Sequence, residues 1–291
     1  MRCRVGADGE GAPTVEEEVP KARSASPLGV VAVAAGPDEG GAGAATTLES
    51  RLHVWDAAGV GTELALPPSE AWGLAFCPDG VVAVASGSAG GVSLWRPPST
   101  AGGELESAGT LRLPGKLAVG AAGGTAGDGA RFALSVAAAP GPGAAGDGLL
   151  AVGASDGMVG VFDRGVGALL HTLAGHTGPV RAVAFSRGGS QVATACDDGF
   201  VRLFDARQAE LVAALEGHQG WALSVDWGLD DLVALSGGAD AGVRLWDLRT
   251  RTSAQVLEQH SDSVWGVAFS PDGQVAASVS EDKSLALYSV S

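Results

Sequence analysis

An all-β propeller is the fold this sequence predicts, and three observations predict it. Gly175-His176, Gly217-His218 and Gln259-His260 open successive units at a fixed step of 42 residues. Asp156, Asp198, Asp240 and Asp282 keep the same step, as do the aromatics Phe162, Phe204, Trp246 and Tyr288. Each unit also breaks into four short apolar runs separated by turn residues, the pattern of strands rather than helices. A period of roughly 40–45 residues, with Gly-His near its start and Trp-Asp near its end, marks a four-stranded propeller blade. One such sheet has two apolar faces and buries neither alone; packed radially against neighbours, it buries both.

Taken in order, residues 1–25 are rich in Gly, Glu and Pro, with little periodicity, and read as disordered or as one outer strand at Thr14–Val19. The propeller spans residues 26–291. Its first blade, about 27–67, has runs at Leu28–Ala35, Ala44–Leu48, Arg51–Trp55 and Glu63–Leu66, with Glu49 in the turn-Asp position. The second, about 71–114, runs through Trp72–Cys77, Val81–Ala85, Val92–Trp95 and Leu105–Leu113; Ala89 stands in its Asp position. The third, about 131–174, uses Phe132–Ala138, Leu149–Ala154, Met158–Phe162 and Leu169–Leu173. The Gly/Ala/Pro-rich tracts 115–130 and 140–148 lengthen its approach and belong in surface loops. Blades at about 175–216, 217–258 and 259–291 follow regularly. The fourth has runs at Val180–Phe185, Gln191–Cys196, Val201–Phe204 and Leu211–Leu215. Asp198-Gly199 and Pro271-Asp272-Gly273 supply the positive φ of tight hairpins. The sixth blade has three strands, and a strand from the N-terminus is expected to complete it.

The spacing predicts a polar network within a blade. His218, Ser236, Asp240 and Trp246 form the complete set: the Asp accepts from one ring nitrogen, the other nitrogen meets the hydroxyl, and the hydroxyl faces the indole N–H. The parallel sets are His176, Thr194, Asp198 with Phe204, and His260, Ser278, Asp282 with Tyr288. Phe204 has no donor, so its chain stops short. A His–Asp pair that recurs once per blade is structural; an active site occurs once per protein.

Bulk properties narrow the partners. Eighteen Lys and Arg against 33 Asp and Glu give a net charge of −15, which opposes direct nucleic-acid binding. Cys3, Cys77 and Cys196 are odd in number and dispersed, as in a reduced compartment. No long apolar run is present to span a bilayer, and no secretory signal is evident at the N-terminus.

The chain resembles the WD-repeat family in these markers, over residues 27–291. The runs between them, Leu66–Phe76, Phe132–Val136, Leu169–Leu173, Ala222–Asp226 and Val264–Phe269, resemble the superkiller-complex WD-repeat subunits. Ser278–Ser284 and Leu287-Tyr288 are similar especially to the plant, vernalization-independence branch. The resemblance implies a seven-bladed adaptor shared by the RNA polymerase II-associated factor (Paf) complex and the superkiller complex, which feeds mRNA to the exosome. It implies protein partners, residence in nucleus and cytoplasm, and a monomer within a hetero-complex. The family's first blade is replaced here by residues 1–25. Three readings of that departure stay open: an N-terminally truncated chain, a closed six-bladed ring, or an open arc with exposed edges.

Enzymatic readings find no unique acid, base, cofactor or metal constellation. Gly153-Ala-Ser155-Asp-Gly157 matches a nucleophile pattern but lies between two strands, with Asp156 a turn residue by period. Gly141–Gly146 matches a dinucleotide pattern without a following helix. Binding is better supported. Aligning the first strands places Trp72, Leu134, Arg181, Leu223 and Trp265 in one column near a rim, with Phe132 and Trp221 two residues before it. Trp72, Phe132, Arg181, Trp221 and Trp265 are the candidate partner-binding rim. A non-catalytic scaffold is the leading function. The alternative is a substrate receptor of a cullin-RING ubiquitin ligase, since Trp246-Asp-Leu-Arg249 and Phe204-Asp-Ala-Arg207 resemble the pattern such receptors use.

Overall fold

The protein's structure, a computed structural model, describes residues 30–35, 42–47, 49–56, 59, 61–66, 72–86, 91–98, 103–114, 131–139, 148–229 and 231–290. The readings of residues 1–25, Ala89, the tract 115–130 and Gly141–Gly146 lie outside them. Every regular element among the described residues is a strand, and none is a helix that could cross a membrane.

The strands form six antiparallel meanders in chain order. Sheet one is β1 (Val30–Ala35), β2 (Gly43–Thr47), β3 (Arg51–Trp55) and β4 (Gly61–Ala65). Sheet two is β5 (Gly73–Phe76), β6 (Val82–Ser86), β7 (Gly91–Arg96) and β8 (Glu106–Arg112). Sheet three is β9 (Ala133–Ala138), β10 (Leu149–Ala154), β11 (Val159–Asp163) and β12 (Ala168–Leu173). Sheet four is β13 (Val180–Phe185), β14 (Gln191–Cys196), β15 (Phe200–Asp205) and β16 (Leu211–Glu216). Sheet five is β17 (Ala222–Trp227), β18 (Val233–Gly238), β19 (Val243–Asp247) and β20 (Thr252–Leu257). Sheet six has β21 (Val264–Phe269), β22 (Val275–Ser280) and β23 (Leu285–Ser289).

First strands lie against first strands in sequence: β1 on β5, β5 on β9, β9 on β13, β13 on β17 and β17 on β21. This is the radial arrangement of a β-propeller. The core is correspondingly divided, with one cluster per pair of neighbouring sheets. Leu52 and Val54 meet Val82 and Val84 between sheets one and two. Leu203 and Leu215 meet Val225 and Trp227 between sheets four and five. Second strands such as β10 and β14 are buried almost throughout, so they read as continuous apolar runs rather than alternating ones. Fourth strands alternate exposed and covered residues, as in β4 and β12, because they form the periphery.

One irregularity repeats and positions the rim. The ladder between first and second strands skips one residue near the leading end, between Val180 and Ala182, Ala222 and Ser224, and Val264 and Gly266. The skipped residues are Arg181, Leu223 and Trp265. A bulge leaves its extra residue unpaired and redirects the side chain. Leu134 is skipped likewise, so the column drawn from sequence holds bulge residues in sheets three to six, while Trp72 lies just before β5, whose ladder is regular.

Candidate interaction surface

The intra-blade networks are assembled as follows. In sheet five, Asp240 Oδ1 lies 2.9 Å from His218 Nδ1, and Ser236 Oγ lies 2.7 Å from His218 Nε2. Trp246 Nε1–H donates to the same Ser236 oxygen at 2.8 Å. Asp240 also accepts the Gln219 amide at 2.9 Å and the Gly242 amide at 3.3 Å. Ser236 and Trp246 are essentially inaccessible to solvent. Burial alone would push the Asp240 carboxyl up, but the His218 hydrogen bond and the two amides outweigh it and hold it at about 2.

Sheet six repeats the arrangement: His260 Nδ1 lies 3.1 Å from Asp282, Nε2 lies 2.6 Å from Ser278 Oγ, and Tyr288 Oη replaces the indole at 3.0 Å from Ser278. In sheet four His176 reaches Asp198 Oδ2 at 3.0 Å and Thr194 Oγ1 at 2.6 Å. Phe204 lies edge-on to that imidazole, with 6.4 Å between ring centroids. Burial lowers the His176 pKa, with Asp198 working against it, and the Thr194 hydroxyl also donates to the Arg202 carbonyl at 3.2 Å. Asp198 gains a cation instead, with Arg202 Nη1 2.6 Å from Oδ2.

Sequence reasoning missed a fourth variant. In sheet three Arg131 Nε donates to Asp156 Oδ2 at 2.7 Å, taking the place of histidine. The sequence signal is weak: an arginine before β9 that lies 25 residues ahead of its aspartate, where the histidines lie 22 ahead of theirs. Ser155 of the nucleophile-like motif accepts the Phe132 amide at 3.1 Å, as a turn residue.

His176, Cys196 and Asp198 offer ligand atoms within 4.8 Å of one another, the grouping among the described residues with metal-binding donors. Both His176 nitrogens are engaged by Asp198 and Thr194, and the Arg202 guanidinium already sits on Asp198. Burial pushes the Cys196 thiol up to about 11, so it is not a ready thiolate. This chemistry favours the internal network over a metal.

At the rim, Trp72, Trp221 and Trp265 are 52%, 51% and 53% exposed, and Phe132 is 41% exposed. Arg181 forks onto Asp197 through Nε at 2.8 Å and Nη2 at 2.7 Å, and its guanidinium carbon lies 5.7 Å from the Trp221 ring centre. Trp265 Nε1–H donates to Glu281 Oε2 at 2.5 Å. Glu281 and Asp197 occupy equivalent positions after their second strands, so each anchors the bulge residue of its own sheet. The column is not uniform: Leu223 is buried at 5% exposure and Leu134 is half-buried, and where sheets four and six carry Asp197 and Glu281, sheets three and five carry Ser155 and Ala239. Beside this rim a cavity of about 430 Å³ lies between Asp197, Phe200, Glu216, Gln219 and Trp221. In the ligase-receptor pattern, Arg249 folds back onto Asp247 at 3.0 Å.

Residues 167–205, 209–247 and 251–289 match the WD domain, G-beta repeat family. Each matched stretch begins near the outer strand of one sheet and ends in the third strand of the next, so the repeat unit straddles two sheets. The chain is also similar to the WD repeat-containing protein VIP3 of Arabidopsis thaliana, at 40% identity over 162 residues. That match spans 55% of this chain and 46% of the relative, about half its length. Three matched repeats in register with three observed sheets establish that the chain carries WD repeats and folds as a WD-repeat β-propeller.

Proposed function

We propose that the chain is a non-catalytic scaffold that grips partner polypeptides at the leading rim of its first strands. The observation that carries this reading is a contrast in exposure. Trp72, Phe132, Trp221 and Trp265 stand half in water at that rim, whereas His218 and His260 are buried and committed to their networks. Large aromatics and arginine at an exposed site are the side chains that anchor protein interfaces. WD repeats and the resemblance to the superkiller-complex subunits support a place in the Paf transcription elongation complex, in the superkiller complex, or in both. Residence in nucleus and cytoplasm follows from that reading.

Trp265→Ala tests it, because the ring is exposed and its loss leaves the inter-sheet clusters intact. Co-purification of partner subunits is expected to fall at least several-fold while the far-UV spectrum and melting temperature stay unchanged. Undiminished co-purification by a folded variant would remove the rim from the account.

A further inference from the structure

At the trailing ends of the first strands, away from the rim, one position breaks a column. Three residues after the rim column the sheets carry Ala75, Ala137, Ala184 and Ala268, but sheet five carries Asp226, followed by Trp227. Asp226 is partly buried. Its Oδ2 accepts the Phe269 amide at 2.8 Å and its Oδ1 the Trp227 amide at 2.9 Å. No Lys, Arg or His among the described residues pairs with it. Two amides satisfy one lone pair on each oxygen and leave the partly buried carboxylate without a counter-ion.

A cavity of about 240 Å³ opens beside this carboxylate, walled by Phe185, Trp227, Phe269 and Leu229, with Arg187 lining it as well. The Trp227 indole N–H is committed to the Ala184 carbonyl at 3.0 Å, so the ring serves as a fixed wall. Arg187 is exposed, and its backbone is held by Asp231 at 2.8 Å. Its guanidinium forms no ion pair among the described residues, and none with Asp226. Two opposite charges thus line one cavity without neutralising each other.

We propose that this cavity takes a lysine side chain of a partner polypeptide, the ammonium on Asp226 and an adjacent acidic residue on Arg187. Aromatic walls suit a cation and its alkyl stem. Lysine fits better than arginine because each Asp226 oxygen already receives an amide. A point-like ammonium needs only one remaining lone pair, whereas a guanidinium fork needs two in one plane. The site is independent of the rim reading, since it lies at the other end of the first strands.

The test is an NMR titration of the full ¹⁵N-labelled chain with acetyl-Lys-Glu-amide and, separately, acetyl-norleucine-Glu-amide. Saturable shifts of the Trp227 indole and Phe269 amide signals are expected with the lysine peptide and not with the norleucine peptide. Asp226→Asn abolishes them, and Arg187→Ala weakens binding about fivefold, the size of one exposed ion pair. Arg187 is exposed, so its variant reads the site even where Asp226→Asn disturbs packing. Equal shifts with both peptides, or shifts unchanged in Arg187→Ala, would overturn the proposal, as would no shift at either signal.

Discussion

Asp240 and Asp198 are each held at about 2, below the ordinary carboxylate value of 3.8. Between those values the unfolded chain binds protons that the folded chain refuses. Their contribution is therefore complete above about pH 4 and is lost as pH falls toward 2. Burial lowers His176 as well, which adds a loss as pH drops below the ordinary histidine value of 6.5. Denaturant titrations at stepped pH should show stability falling by roughly 1–2 kcal/mol per aspartate between pH 4 and pH 2, after allowance for solvent screening. A flat profile over that range would mean that the carboxylates are not engaged. At this scale the sequence spoke through spacing alone. His218, Ser236, Asp240 and Trp246 could be placed together because their offsets are fixed by strand and turn length. Arg131 could not, because its partner Asp156 is reached from the loop before β9 and no repeat marks it.

The four network aspartates also share a backbone feature at the level of the hairpin. Each is followed by a residue with positive φ: Gly157 at 86°, Gly199 at 82°, Ala241 at 61° and Lys283 at 68°. Only glycine adopts that region without steric cost; for other L-residues it costs about 1 kcal/mol. The turn geometry is thus imposed by the amides that Asp240 collects, even where the residue type opposes it. Ala241→Gly is expected to raise the unfolding free energy by about 0.5–1 kcal/mol, read from the denaturation midpoint at constant slope. A lower midpoint would show that Ala241 has a packing role that outweighs its strain. Strand positions were legible, since β10, β13 and β14 follow apolar runs bounded by turn residues. The bulges at Arg181 and Trp265 were not. A skipped ladder partner is a relation between two strands, and a run of residues does not display it. The buried state of Leu223 escaped for the same reason: burial is set across the sheet rather than along the strand.

Across the whole molecule, stability is assembled between sheets. Besides the apolar clusters, side chains of one first strand bind the backbone of the next: Ser135 Oγ donates to the Val180 carbonyl at 3.2 Å, and Ser224 Oγ accepts the Val267 amide at 3.1 Å. Asp226 and Trp227 extend this stitching from sheet four to sheet six. The 42-residue repeat made the propeller legible because it reports what every sheet shares. Asp226 and Trp227 act through what differs between sheets, so the period conceals them. The central proposal is that the repeated sheet geometry leaves one rim free to hold other polypeptides. Hydrogen–deuterium exchange of the chain, free and within its native assembly, tests this most directly. The account predicts that assembly slows exchange at the leading ends of the first strands, around Trp221 and Trp265. Slowed exchange confined to the outer strands β12, β16 and β20, with the rim unchanged, would contradict it.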